Sequence, residues 1–367
     1  MSSCITTGLN NMQERELLHR FGLSVYSKLA LFIVLVFVFV LDIAVGSVRI
    51  PLSQVVTILT GGNPDKASWL KIVTLFRLPK ACTAALAGAA LATSGLYMQT
   101  LFRNPLAGPS ILGIGAGASL GVALVVLSVA GGTASRFLEG IGLAGDLGVV
   151  IAASLGSALV LFLVLAVSRR VQSVVTLLIL GMLFGFAVNA VVSILIHFSV
   201  SERVHAYMSW TFGTFSGATW AQLKIFIPAV AAGLLLSFFG TKPMDAMLLG
   251  EAYARSMGVR VQRIRTFVII ITAILTGTVT AFCGPIAFLG VAVPHLCRNL
   301  FKASEHKVLL PASALVGAIL ALLSDMISQL PGSRSVLPLN SVTALIGTPV
   351  IVWIILKQQK ASETFIT

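Results

Sequence analysis

Long uncharged apolar runs recur along the chain, each closed by a short polar connection. Ten are drawn, near 29–46, 81–101, 111–130, 148–168, 174–198, 223–240, 266–283, 284–300, 308–329 and 340–356. Uncharged runs of roughly 18 or more residues have the length of a helix crossing the hydrocarbon core. The pattern predicts an all-α polytopic membrane protein with about ten transmembrane helices. The stretch 266–300 is too long for one straight helix at about 1.5 Å per residue. Gly284-Pro285 falls in its middle, and a proline removes a backbone donor and clashes with the preceding turn. Two segments joined by a tight turn are expected there.

The runs differ in kind. ACTAALAGAALATSGLYMQ (81–99) and GIGAGASLG (113–121) are rich in small residues. Gly113/Gly117, Gly117/Gly121 and Gly181/Gly185 have the spacing that lets backbones approach closely in lipid. Such helices belong inside a bundle. LFIVLVFVFV (31–40) is bulky all round and is expected to face lipid. IPLSQVVTILTGG (50–62) reads as a short surface helix outside the membrane. The aromatic residues of 199–222 (Trp210, Phe212, Phe215, Trp220) read as an interfacial belt ahead of a binding rim.

Composition agrees: 57% of the 367 residues are hydrophobic and 10% charged, against about 25% charged in soluble domains. The net charge of +13 does not point to nucleic acid, because the basic residues are scattered between apolar runs. They follow the positive-inside rule instead. With the N-terminus in the cytoplasm, Arg49, Lys66, Lys71, Arg77, Lys80, Arg136, Arg203, Lys224 and Arg334 fall outside, and the other sixteen of 25 fall inside. An even number of spans leaves both termini cytoplasmic. The chain divides into a cytoplasmic segment 1–28, a single transmembrane domain 29–357 and a cytoplasmic tail 358–367. Cys4, Cys82, Cys283 and Cys297 form no CxxC pair and no zinc spacing with the five histidines.

Catalytic motifs are lacking. GIGAGA (113–118) has the letters of a dinucleotide fingerprint, but it lies in a small-residue membrane segment without the strand and acidic partner that fingerprint requires. There is no GxxxxGK[ST] phosphate loop and no nucleophile–base constellation. The spans hold only Asp42 and Asp325 as carboxylates, both near the predicted outer ends. That is sparse for an ion-coupled carrier.

The charged connection 241–265 stands out. Pro243 can begin a short helix and Gly250 end it; EAYARSM can form a second one closed by Gly258. Two short helices would then offer Met247, Leu248, Tyr253 and Met257 as knobs rimmed by arginines. An inert positive-inside loop and a docking element for a cytosolic partner both fit this composition.

Several blocks in order carry a resemblance: RLPK (77–80), GAALATSGLYMQTLFRNPLAGPSILGIGAGAS (88–119), GEAYARSMGV (250–259), GPIAFLGVAVPHLCR (284–298) and LPLNSVTALIGTPVIVWI (337–354). The chain resembles the permease subunits of ABC importers for iron–siderophore, haem and vitamin B12, over about residues 25–357. The resemblance implies a type II ABC importer permease fold in the inner membrane. It also implies a second permease subunit, two cytosolic ATPases that carry the ATP and magnesium, and an extracytoplasmic substrate-binding protein. No cofactor is expected on this chain, and no nucleic acid; lipid is its other partner.

On this resemblance Glu251, Ala252, Arg255 and Gly258 fall on the ATPase-coupling motif. The cytoplasmic gate falls on Asn104 and Leu106 of the NPL segment and on Ser173, Val174 and Val175. Arg77 and Lys80 match basic residues that dock the binding protein. Gln329 occupies the place of a third, with Arg334 as its substitute. The implied cargo is a metal chelate, ranked ferric siderophore, then haem, then cobalamin, and the chain itself performs no chemistry. The alternative classes are an ion-coupled secondary transporter and an intramembrane enzyme.

Overall fold

A computed structural model of the protein describes residues 26–127, 146–171, 173–329 and 336–363. Fourteen helices are found among them: α1 (Tyr26–Ala44), α2 (Leu52–Leu59), α3 (Ala67–Leu101), α4 (Ile114–Val126), α5 (Asp146–Ser168), α6 (Val174–His197), α7 (Ser201–Thr211), α8 (Trp220–Phe239), α9 (Thr241–Leu248), α10 (Glu251–Ser256), α11 (Val261–Cys283), α12 (Leu289–Phe301), α13 (His306–Ser328) and α14 (Leu339–Glu363). A 3₁₀ turn, Pro109–Leu112, precedes α4.

Each of the ten apolar segments carries a helix. Seven are long and apolar enough to cross a membrane: α1, α3, α5, α6, α8, α11 and α13. The remaining three are shorter in their helical or apolar part, with 13 residues in α4 and in α12. Contacts at the helix ends fix the relative direction of several of these ten. Arg77, near the start of the membrane-crossing part of α3, touches the last residues of α1. Thr100, at its far end, touches the first residue of α13. The start of α11 meets the end of α5 through Gln262 and Ser168, and the start of α14 meets Phe212 after α7. Helices α9 and α10 lie at one end of the bundle and α2 lies at the other.

Burial sorts the helices as their side chains require. Between Leu78 and Leu101, α3 is buried on nearly every side, because its small residues let neighbours close on its backbone. A Cβ added at Gly88 would collide with the Gly317 carbonyl of α13, and one at Gly117 of α4 with the Gly156 carbonyl of α5. Helix α1 exposes Phe32, Ile33, Val36 and Phe37, as its all-round bulk predicts. Helix α6 is exposed over most of its length.

Two irregularities were not expected. A π-helical turn, Val73–Arg77, interrupts α3; it leaves the Thr74 carbonyl to accept from Trp220 Nε1 at 2.8 Å. The break after α11 is also longer than a tight turn. Gly284 takes a φ of 75° and Phe288 one of 67°, and the chain between them is neither helix nor strand. Non-helical backbone at membrane depth survives only where protein or water satisfies it. Here Asn340 Oδ1 accepts from Ala287 N at 3.1 Å, and the Cys283 carbonyl accepts from Thr214 N at 2.9 Å.

Candidate functional site

The connection 241–265 folds into the expected pair of short helices. Gly250 separates them at a φ of 112° and Gly258 closes the second at 84°. Both values lie where a side chain is strained. A Cβ at Gly258 would meet nothing, so backbone conformation alone calls for glycine there. The inner face is Met244, Met247 and Ala254. The outer face is Leu249 (64% exposed), Tyr253 (50%) and Met257 (61%). Met247, expected as a surface knob, is therefore an anchor, Leu248 is half-buried, and Leu249 takes the outward place.

The arginines do not act alike. Arg255 is exposed and pairs with Glu251 at 3.3 Å, one turn away. Arg265 is 1% exposed and meets the other oxygen of the same carboxylate at 2.9 Å. Its Nη1 donates to the Val171 carbonyl at 2.9 Å, and Gln262 holds the Ser168 carbonyl at 2.7 Å. Glu251 is thus wired through Arg265 to the turn between α5 and α6, two residues before Ser173. Ser173 caps α6 by accepting from Thr176 N at 3.3 Å; Val174 is half-buried and Val175 exposed. Neither Arg265 nor Gln262 was singled out by sequence. The available signal was spacing: Val261, Arg265, Val268 and Thr272 fall on one helical face, and all four are buried.

Asn104 and Leu106 lie at the same end, in the turn leaving α3. Asn104 Oδ1 accepts from Leu106 N at 2.9 Å, which leaves the Leu106 side chain exposed. His295 of α12 holds the intervening Pro105 carbonyl at 2.9 Å. A Cβ at Gly250 would lie 3.6 Å from Arg103 Nη1, so this turn approaches the junction of α9 and α10. Of the predicted coupling residues, Glu251 faces inward, whereas Ala252, Arg255 and Gly258 are exposed.

Arg77 and Lys80, expected to dock the binding protein, lie inside the bundle at 7% and 6% exposure. Arg77 donates to the carbonyls of Ile43, Ala44 and Val48. Lys80 pairs with Asp325 at 2.5 Å and with Asp42 at 3.7 Å, and Gln329 donates to Asp325 at 2.7 Å. These groups clamp α1, α3 and α13 together at the α2 end. The clamp was illegible because its partners are remote in sequence. Arg334 lies outside the described residues. Lys80→Glu would place a third carboxylate beside Asp42 and Asp325. Losing one partner of a buried pair costs about 3–5 kcal/mol. The purified chain should therefore melt markedly lower before any partner is added. An unchanged midpoint would return Lys80 to a surface role.

A bundle with seven helices long and apolar enough to cross a membrane, and a folded helix pair at one end joined to the turn between α5 and α6, defines a polytopic membrane protein. The FecCD transport family matches residues 34–357, and the chain belongs to that family. Over 284 residues it is 36% identical to the vitamin B12 import system permease protein BtuC of Citrobacter koseri, covering 77% of this chain and 82% of that one. The BtuC of Salmonella typhi is 35% identical over the same length, at 77% and 83% coverage. Among solved structures, a metal-chelate type ABC transporter in an inward-facing conformation superposes with a TM-score of 0.78 at 27% identity, covering 90% of this chain and 99% of that one. PsaBC of Streptococcus pneumoniae, solved with a Fab, shares the fold at a TM-score of 0.54 and 19% identity, over 77% and 92% of the two chains. The fold is that of a type II ABC importer permease.

Proposed function

We propose that this chain is the inner-membrane permease half of an ATP-driven importer of a metal chelate, levered through α9 and α10. The observation that carries the proposal is the Glu251–Arg265–Val171 connection. Residues on the family's coupling motif are joined by a partly buried ion pair to the turn before the gate residues Ser173, Val174 and Val175. Leu249, Tyr253 and Met257 supply an exposed apolar surface beside that pair, suited to a cytosolic ATPase carrying ATP and magnesium. The exposed face of α6 (Ile179, Met182, Leu183, Phe186) is assigned to the second permease. Both termini are placed on the cytoplasmic side, and an extracytoplasmic binding protein delivers cargo at the α2 end.

Among chelates, the vitamin B12 permeases at 35–36% identity support a corrinoid ahead of the ferric siderophore and haem that sequence alone ranked first. Ion-coupled carriage is less well supported. Among the described residues, the seven long spans contain Asp42 and Asp325 as carboxylates apart from Asp146, the first residue of α5, and both are engaged around Lys80. Competition uptake in proteoliposomes holding the assembled complex tests the cargo. Labelled cyanocobalamin, a ferric hydroxamate chelate and haemin are offered singly and in pairs. Cyanocobalamin should be taken up and should resist the other two; uptake of another chelate alone would replace the corrinoid assignment.

A further inference from the structure

The second connection of the helix pair lies in α9. Asp245 Oδ1 accepts from the backbone N–H of His306 at 2.8 Å and from its Nδ1 at 2.6 Å. The first contact satisfies one of the N–H groups that the start of α13 cannot pair within the helix. The far ring nitrogen, Nε2, lies 2.9 Å from the Thr100 hydroxyl at the end of α3. Tyr97, one turn earlier in α3, stacks on the His306 ring at a centroid distance of 6.0 Å. Its hydroxyl donates to the Ser237 carbonyl of α8, just ahead of α9. His306 has no exposed surface. A buried imidazole held on both nitrogens between three helices can move only with them.

Helices α3 and α13 in turn form one body. Their backbones touch at Gly88 and Gly317, where either Cβ would strike the other's carbonyl, and close packing of this kind transmits displacement rather than absorbing it. A shift of α9 therefore reaches the α3–α13 pair through His306, and α3 runs directly into the Asn104–Leu106 turn. The α10 connection is separate: Glu251 and Arg265 lead to Val171 and the start of α6.

We propose that Asp245, His306 and Thr100 form a positioning unit that carries movement of α9 to the α3–α13 pair and the Asn104–Leu106 turn, independently of the Glu251–Arg265 line. This rests on the coupling function proposed above. Two reporters separate the lines. In a chain whose four native cysteines are replaced, a single cysteine is placed at Leu106 or at Val175, both exposed. Maleimide labelling is then timed in the complex with its ATPase, with and without ATP plus vanadate, which traps the ADP formed on hydrolysis.

His306→Ala should reduce the ATP-dependent change at Leu106 about tenfold, within the roughly 5–150-fold range of coupling between sites, and leave the change at Val175. Asp245→Asn keeps the shape of the carboxylate, serves if the alanine variant does not assemble, and should act in the same direction. Adding it to His306→Ala should cause no further loss, as expected for residues acting as one unit. A preserved response at Leu106, or an equal loss at both reporters, overturns the proposal. No ATP response at either reporter in the unsubstituted complex would instead overturn the coupling function itself.

Discussion

Glu251→Ala is expected to lower ATP-driven uptake by about tenfold or more, on the scale of coupling between sites, while the chain still inserts in the membrane. The substitution leaves Arg265, at 1% exposure, without its carboxylate. Breaking a buried pair from one side costs about 3–5 kcal/mol, and the partial exposure of Glu251 places this case toward the lower end. Arg265 would keep the Val171 carbonyl but lose its hold on α10. Movement of the helix pair would then no longer reach the α5–α6 turn. Glu251→Gln retains an acceptor and should fall between the two. Arg255→Ala is the control for local stability, because an exposed pair one turn apart contributes only about 0.3–0.5 kcal/mol. Uptake per ATP hydrolysed and the melting midpoint, taken on the same preparations, separate lost transmission from lost stability. Full coupling in Glu251→Ala would remove the lever.

Gly95→Val should be the most damaging single change within the bundle. A Cβ at this position falls on the Gly290 carbonyl of α12, so backbone rather than a yielding side chain must move. Overpacking of a well-packed core costs about 1–3 kcal/mol and sometimes more; with both partners in backbone, the upper end applies. Helix α12 would be pushed from α3, which also disturbs His295 on the Pro105 carbonyl. Gly115→Ala meets open space and should be neutral or stabilising by up to about 1 kcal/mol. The two melting midpoints, compared in detergent, check the contrast, and equal midpoints would contradict the α3–α12 contact.

These cases show what the sequence makes legible. The helix pair α9–α10 could be drawn because Pro243, Gly250 and Gly258 impose local backbone conditions that depend on nothing distant. The buried nature of α3 was equally readable, since a helix of small residues has no side chains with which to cover itself in lipid. Ten segments could be located, but not that α12 holds only 13 residues, because apolarity continues through the non-helical backbone of 284–288. Charges were the hardest to place. Arg77 and Lys80 look like surface groups until Asp42 and Asp325 are brought beside them from other helices. Arg265 is indistinguishable from Arg260 and Arg263 by composition, and its partner Glu251 lies across a turn whose path only the fold supplies. His306 looked like one more dispersed histidine, and nothing in its local sequence points to Asp245 or Thr100.

The most direct test is side-specific ATP dependence in proteoliposomes that contain the permease, its ATPase and its binding protein. ATP should drive chelate uptake only when supplied on the membrane face bearing α9 and α10, and a hydrolysis-deficient ATPase should stop it. Uptake by the permease alone from an imposed proton or sodium gradient, with no ATPase present, would contradict a bundle levered from that face.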